Sequence, residues 1–156
     1  MWYRWIVCDP SQRWVRGVRR FGEQALPRID DRLQIVEAEH PAQVSELLRG
    51  ALDGPPPVVL WGAHPTSLWE PCLSHLTAAS GQALHLAGLS SDASASGPRQ
   101  NDLAVHLQAL GCSLVLAELT DLSRAARLVR RFWSQRVLTP AVLLRALVHD
   151  LPNAEG

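Results

Sequence analysis

The chain has 156 residues, 47% apolar and 19% charged, with fifteen basic and fifteen acidic side chains and a formal net charge of zero. That length suits one domain with a sizeable core, and the charge balance supplies no global field to attract nucleic acid or a membrane surface. The longest apolar runs, such as Val142-Leu143-Leu144 and Ala146-Leu147-Val148, are cut by Arg145 and by His149-Asp150, well short of the roughly 20 residues a membrane span needs.

Every basic residue is an arginine, so any mechanism that requires a lysine is excluded. Cys8, Cys72 and Cys112 are odd in number and widely spaced. No pair has metal-ligand spacing, and three is a poor disulfide framework, so reduced, buried thiols are expected. The opening Met1-Trp2-Tyr3-Arg4 lacks the basic, apolar and small-residue succession of a secretion signal. A cytoplasmic protein is the expectation.

In chain order, Trp5 to Cys8 reads as a first strand that stops at Asp9 and turns at Pro10 into a helix. Proline at a helix start sacrifices no hydrogen bond, and Asp9 is a candidate cap. From Ser11 to Leu26, Trp14, Val15, Val18, Phe21 and Ala25 recur at helical spacing, while Arg13, Arg16 and Arg20 share another face. Leu33 to Val36 is a second strand. His40-Pro41 opens a helix with Val44, Leu47, Leu48 and Ala51 on one face, and Gly54-Pro55-Pro56-Pro57 stops it. Val58 to Trp61 is a continuous apolar run, as for a strand buried on both faces. Gly62-Ala63-His64-Pro65 is a turn, and Thr66 or Ser67 can cap a helix through Ala79. Ala83 to Ala87 is a weaker fourth strand, followed by a serine- and glycine-rich loop from Gly88 to Gln100. Asn101 to Leu110 is a helix, Ser113 to Leu116 a fifth strand, and Asp121 can cap a helix to about Gln135. Thr139-Pro140 opens a last amphipathic helix to Leu151, with Val142, Leu143, Ala146 and Leu147 as its apolar stripe. The strands start roughly 25 to 30 residues apart, the length of one βα unit, which predicts a parallel sheet with helices on both faces.

Two stretches carry a family likeness. Cys8-Asp9-Pro10-Ser11-Gln12-Arg13 resembles the acidic-acidic-x-proline turn into the first helix of the receiver domains of two-component response regulators. Leu107-Gln108-Ala109-Leu110-Gly111-Cys112-Ser113-Leu114-Val115-Leu116-Ala117-Glu118 is similar to that family's Ala-Leu-Gly-Ala, strand, lysine stretch. The resemblance spans about residues 4 to 134. It implies a flavodoxin-like (CheY-like) three-layer sandwich with a five-stranded parallel sheet in the order 2-1-3-4-5. Residues 1–136 would form the domain, and residues 137–156 an extra C-terminal helix and tail.

A working receiver transfers a phosphoryl group. The resemblance implies a carboxylate cluster for Mg²⁺, an aspartate nucleophile after the third strand, a hydroxyl after the fourth and a lysine after the fifth. Here Asp9 matches one acid and Cys8 replaces the other. The nucleophile position falls on Gly62 or within one residue of it, and no carboxylate lies between Leu60 and Trp69. The hydroxyl position falls near Gly88, with Ser90 and Ser91 as loose candidates, and the lysine position falls on Glu118. The expectation is a degenerate pseudo-receiver with no catalytic residue, no metal and no cofactor, in which Asp9 serves as a helix cap.

The other chemistry-bearing residues are weaker signals. His40, His64, His75, His85, His106 and His149 are scattered without ligand spacing, and surface or capping roles are expected for them. Ser90, His64 and Asp9 would share the carboxyl edge of the sheet, but no nucleophile-elbow pattern accompanies them. No glycine-rich phosphate loop is present. In the order 2-1-3-4-5, Arg13, Arg16 and Arg20 would neighbour Arg124, Arg127 and Arg131 on the helix after the fifth strand. The plainer reading of these two rows is a solvated face balanced by acids. The functional one is a docking surface for an acidic partner or phosphates. Trp5, Trp14 and Trp61 fit the core, whereas Trp2, Trp69 and Trp133 lie near element ends and are candidates for partial exposure, with core or edge packing the plainer reading for each.

The sequence thus points to a protein–protein interaction module in bacterial signalling, with a protein partner, a homodimer as one option, and neither membrane nor nucleic acid. The alternatives are a small-ligand or nucleotide-binding domain using the crevice at the carboxyl edge, with the loop from Gly88 to Gln100 as a lid, and, further off, a small hydrolase.

Overall fold

A computed structural model describes residues 1–49, 54–63, 83–89 and 98–136. The helix expected at 66–79, most of the loop after the fourth strand with Ser90 and Ser91, His64, Trp69, Cys72, His75, His149 and the C-terminal helix all lie outside the described residues.

Five strands, β1 (Trp2–Cys8), β2 (Arg32–Glu37), β3 (Val58–Ala63), β4 (Leu84–Leu89) and β5 (Leu114–Leu116), form one parallel sheet in the order β2-β1-β3-β4-β5. The helices described are α1 (Arg13–Phe21), α2 (Pro41–Arg49), α3 (Pro98–Ala109) and α4 (Leu122–Arg136). Short 3-10 turns at Gly22–Ala25 and Leu119–Asp121 follow α1 and precede α4. This is the receiver-like α/β architecture and strand order expected from sequence.

The strand periodicity of two divides the core into two layers. Trp5 and Val7 of β1, Val58 and Leu60 of β3 and Leu86 of β4 face α1 and α4, where they meet Trp14, Val15, Val18, Leu122, Val129 and Trp133. Ile6, Cys8, Val59, Trp61, Ala87 and Leu89 point the other way, toward Val44 and Leu48 of α2 and Leu107 of α3. Both faces of the central strands are covered, which is why Val58 to Trp61 of β3 reads as an unbroken apolar run.

Several expectations shift. The first helix is shorter than the periodicity implied. It starts at Arg13, preceded by Gln12 at φ 64°, and tightens into a 3-10 turn at Gly22. Gly88 and Leu89 belong to β4, and α3 begins at Pro98, so the Gly88–Gln100 loop shrinks from both ends. Trp133 follows the plainer of its two readings: it is fully buried, stacked obliquely on Tyr3 at 4.6 Å and donating its indole N–H to the Pro56 carbonyl at 2.9 Å.

His85 is not a surface histidine. It is 2% exposed, and its Nδ1 accepts the indole N–H of Trp61 at 3.0 Å. Cutting this pair leaves a buried donor without its acceptor, which costs about 1–3 kcal/mol. His85→Leu should lower stability by at least that much in urea titrations. Combining it with Trp61→Phe should cost less than the sum of the two single changes, as expected for partners in contact.

Candidate functional site

The alternation that sends Trp5 and Val7 toward α1 places Asp9 on the same side, just past the carboxyl end of β1. There the chain turns back, with the Gln12 N–H donating to the Asp9 carbonyl at 3.2 Å. The Asp9 side chain closes the turn. Its Oδ1 accepts from the Ser11 N–H at 3.0 Å and the Ser11 hydroxyl at 2.8 Å, and its Oδ2 accepts from the Trp14 N–H at 2.8 Å. Trp14 is in the first turn of α1, so Asp9 caps that helix from outside it, where negative charge also complements the helix dipole. The carboxylate is 5% exposed and both oxygens are engaged.

Gly62 lies directly beneath it. A Cβ built on Gly62 would sit 2.6 Å from Asp9 Oδ1 and 2.9 Å from its Cβ and Cγ. One strand over, Gly62 is in register with Gly88. A Cβ on Gly88 would fall 2.2 to 2.5 Å from atoms of the Trp14 indole. Two glycines thus stand side by side at the carboxyl ends of β3 and β4, each covered by a side chain from the β1–α1 segment. The Trp14 indole also donates to the Leu89 carbonyl at 3.3 Å.

Arg13 completes the cover. Its guanidinium donates to the carbonyls of Leu89 at 3.4 Å and Ala117 at 3.5 Å, spanning the ends of β4 and β5, and it rests 5.3 Å from the Trp14 ring centre. This corrects the expected arginine surface, because Arg13 is turned onto the crevice and away from the row it was assigned to. Glu118 follows β5 and is exposed. It forms a capping box with Asp121, whose carboxylate accepts the N–H groups of Ala117 at 3.1 Å and Glu118 at 3.0 Å. Asp121 therefore caps the 3-10 turn ahead of α4.

The structure thus gathers Asp9, Gly62 and Gly88 at one edge, and packs them under Trp14 and Arg13. Sequence reasoning missed those last two residues. The available signal was a pair of glycines in register at two strand ends, which implies something bulky lying over them. Among the described residues no group of three His, Cys, Asp or Glu side chains is placed to hold a metal ion.

Arg16, Arg20, Arg124, Arg127 and Arg131 are exposed. The two ion pairs among the described residues, Met1 amine–Asp31 and Arg19–Glu37, involve none of them. Neither α1 nor α4 contains an acidic residue. The helices abut at Gly17, where a Cβ would meet Leu122 Cδ1 at 2.6 Å and Leu119 Cδ2 at 2.9 Å.

No family model and no curated protein matches the chain. Among solved structures it is similar to the crystal structure of the phosphorylated cyanobacterial phytochrome response regulator RcpA. That match has 12% identity and a TM-score of 0.53, and it covers 90% of this chain and 99% of that one. The likeness shows a receiver-like fold. No helix among the described residues is long and apolar enough to cross a membrane.

Two tests follow from this geometry. Asp9→Ala removes three acceptor contacts from a helix start and should cost about 2 kcal/mol, the upper end for a lost cap. Asp9→Asn keeps one acceptor oxygen and should fall between the two in urea midpoint. The neighbouring thiols give the second test. Burial first, and the Asp9 charge second, push Cys8 up to about 11, and burial pushes Cys112 up to about 12. Above the ordinary thiol value of 9.0 an unfolded chain loses protons that the folded chain keeps. Stability should therefore be unaffected by these groups below pH 9 and decline as pH rises toward 11 and 12. At neutral pH, peptide mapping after alkylation should find Cys8 and Cys112 unmodified unless denaturant is present.

Proposed function

We propose that this chain is a receiver-like protein-interaction module that does not carry out phosphoryl transfer. One observation supports this above the others: Asp9 and Trp14 fill the space over Gly62 and Gly88. The receiver resemblance assigns the nucleophile to Gly62 and the hydroxyl to Gly88. A phosphoryl group would have to sit where the Asp9 carboxylate and the indole now pack. With its oxygens engaged by Ser11 and Trp14, Asp9 is poorly placed to coordinate Mg²⁺, and Glu118 is taken up in a helix cap. The chain has no lysine to read a phosphoryl group and no carboxylate between Leu60 and Trp69 to accept one.

The same packing disfavours the crevice as a ligand or nucleotide pocket. The interaction surface in this reading is the arginine face of α1 and α4, comprising Arg16, Arg20, Arg124, Arg127 and Arg131. Guanidinium groups suit carboxylate and phosphate partners because their paired donors match two oxygens, and an acidic protein surface is the partner they fit.

The test is exposure of the ¹⁵N-labelled protein to Mg²⁺ with beryllofluoride, and separately to acetyl phosphate with intact-mass detection. The expected result is no shift at Asp9, Gly62 or Gly88 and no stable mass gain. A phosphoaspartate, or saturable shifts at those residues, would overturn the proposal. Restoring a carboxylate with Gly62→Asp should not rescue phosphorylation, and overpacking against Asp9 should destabilise the fold by about 1–3 kcal/mol.

A further inference from the structure

The opposite edge of the sheet is built differently. At the amino ends of β1 and β2 there is an open cleft of about 630 Å³, lined by Trp2, Arg28, Ile29, Arg32, Arg130 and Glu23 among others. Four large apolar side chains stand exposed among the described residues. Ile29, wholly exposed, and Trp2, 65% exposed, line this cleft, and Met1 is next to Trp2 in the chain. Apolar side chains gathered beside arginines are the composition of interface anchors rather than of ordinary surface.

Ile29 is exposed by construction. The turn from Arg28 to Asp31 is closed by the Asp31 N–H donating to the Arg28 carbonyl at 3.2 Å and the Arg28 N–H donating to Asp31 Oδ2 at 2.9 Å. Asp31 is buried and also pairs with the Met1 amine at 3.3 Å. Its charge is spent inside the turn, which holds Ile29 at the tip. Arg28, Arg32 and Arg130 make no ion pair among the described residues, and Glu23 is the other acid lining the cleft. The cleft is therefore cationic and apolar together, with an anchor already fixed in place, so little ordering entropy opposes binding.

We infer that this amino-edge cleft is a docking site for a protein segment that presents acidic side chains on either side of an apolar one. Its arginines take the carboxylates, and Trp2 and Ile29 clasp the apolar residue. α4 contributes Arg130 to this surface, but the site shares no residue with the face made by Arg16, Arg20, Arg124, Arg127 and Arg131 and does not depend on the fate of the crevice.

The probe is a short fluorescein-labelled peptide that alternates glutamate with leucine, alongside a version with serine for leucine and one with lysine for glutamate. Anisotropy should show saturable binding of the first peptide alone. ¹H-¹⁵N spectra should show shifts at Trp2, Ile29 and Arg32. Ile29→Ser, at a fully exposed turn tip that has no packing to lose, should weaken binding at least about tenfold, as should Arg28→Gln with Arg32→Gln. The Arg124→Gln, Arg127→Gln protein should bind as the parent does. The inference fails if the serine peptide binds equally well, if Ile29→Ser has no effect, or if the shifts fall on Arg16, Arg20, Arg124, Arg127 and Arg131 instead of the cleft residues. It also fails if the cleft residues shift with protein concentration alone and Ile29→Ser abolishes that change, because the occupant would then be a second copy of the chain.

Discussion

The carboxylate of Asp9 fixes how the first helix meets the sheet, and much of the molecule depends on that contact. A carboxylate with 5% exposure is tolerable only if its oxygens are hydrogen-bonded. The nearest donors are the free N–H groups at the start of α1 and the Ser11 hydroxyl. Satisfying them draws the β1–α1 segment over the neighbouring strand ends. Trp14 then lies on β4 and Asp9 on β3, so neither Gly62 nor Gly88 has room for a Cβ. In an open α/β sheet the crevice outside the carboxyl ends is where ligands bind. Here the chain's own side chains occupy it, tied by the Trp14 and Arg13 hydrogen bonds to the last carbonyls of β4 and β5.

The charge distribution is the second constraint. The whole chain is neutral, yet α1 and α4 carry arginines and no acid, and they pack closely enough that Gly17 has no space for a side chain. Like charges on adjoining helices repel, though water and salt screen the exposed groups beyond about 8 Å. The burial of Trp5, Trp14 and Trp133 between these helices and the sheet outweighs that residual repulsion. A fold that needed only solubility would interleave the two signs on this face. Three acids elsewhere are occupied: Asp31 by the amino terminus, Asp121 by a helix cap, Glu37 by Arg19.

Architecture was legible in the sequence because it rests on local signals. Apolar runs at Trp5–Cys8 and Val58–Trp61, separated by helical periods, dictate βα alternation whatever the partners are. Where the reading went astray, the deciding contact was distant in sequence. Gly88 looked like the first residue of a glycine- and serine-rich loop, but ladder pairing with Gly62 and Leu116 extends β4 through it. His85 looked like a surface histidine. Its burial depends on Trp61, which offers an indole donor across the neighbouring strand. Arg13 matched the helical spacing of Arg16 and Arg20, yet its place in the first turn of α1 puts it within reach of two strand-end carbonyls. Of the candidate site, the gathering of Asp9, Gly62 and Gly88 at the carboxyl edge was legible. The indole that fills the crevice was not, because nothing in the run Trp14-Val15 marks one buried tryptophan as a plug and another as core.

The two ends of the sheet are built differently. At the carboxyl edge the described polar groups are engaged, Asp9 by Ser11 and the Trp14 N–H, Arg13 and the Trp14 indole by strand-end carbonyls. At the amino edge the turn from Arg28 to Asp31 spends its one buried carboxylate on its own closure. It leaves a wholly exposed isoleucine and unpaired guanidiniums facing solvent. An isoleucine in water forgoes roughly 1.5–3 kcal/mol of burial, and a hydrogen-bonded turn that holds it outward prevents the chain from recovering that energy by local collapse. Groups kept uncompensated by the surrounding structure are where recognition is expected, and among the described residues they lie on the helix faces and the amino edge, while Asp9 and Trp14 cover the strand ends at Gly62 and Gly88.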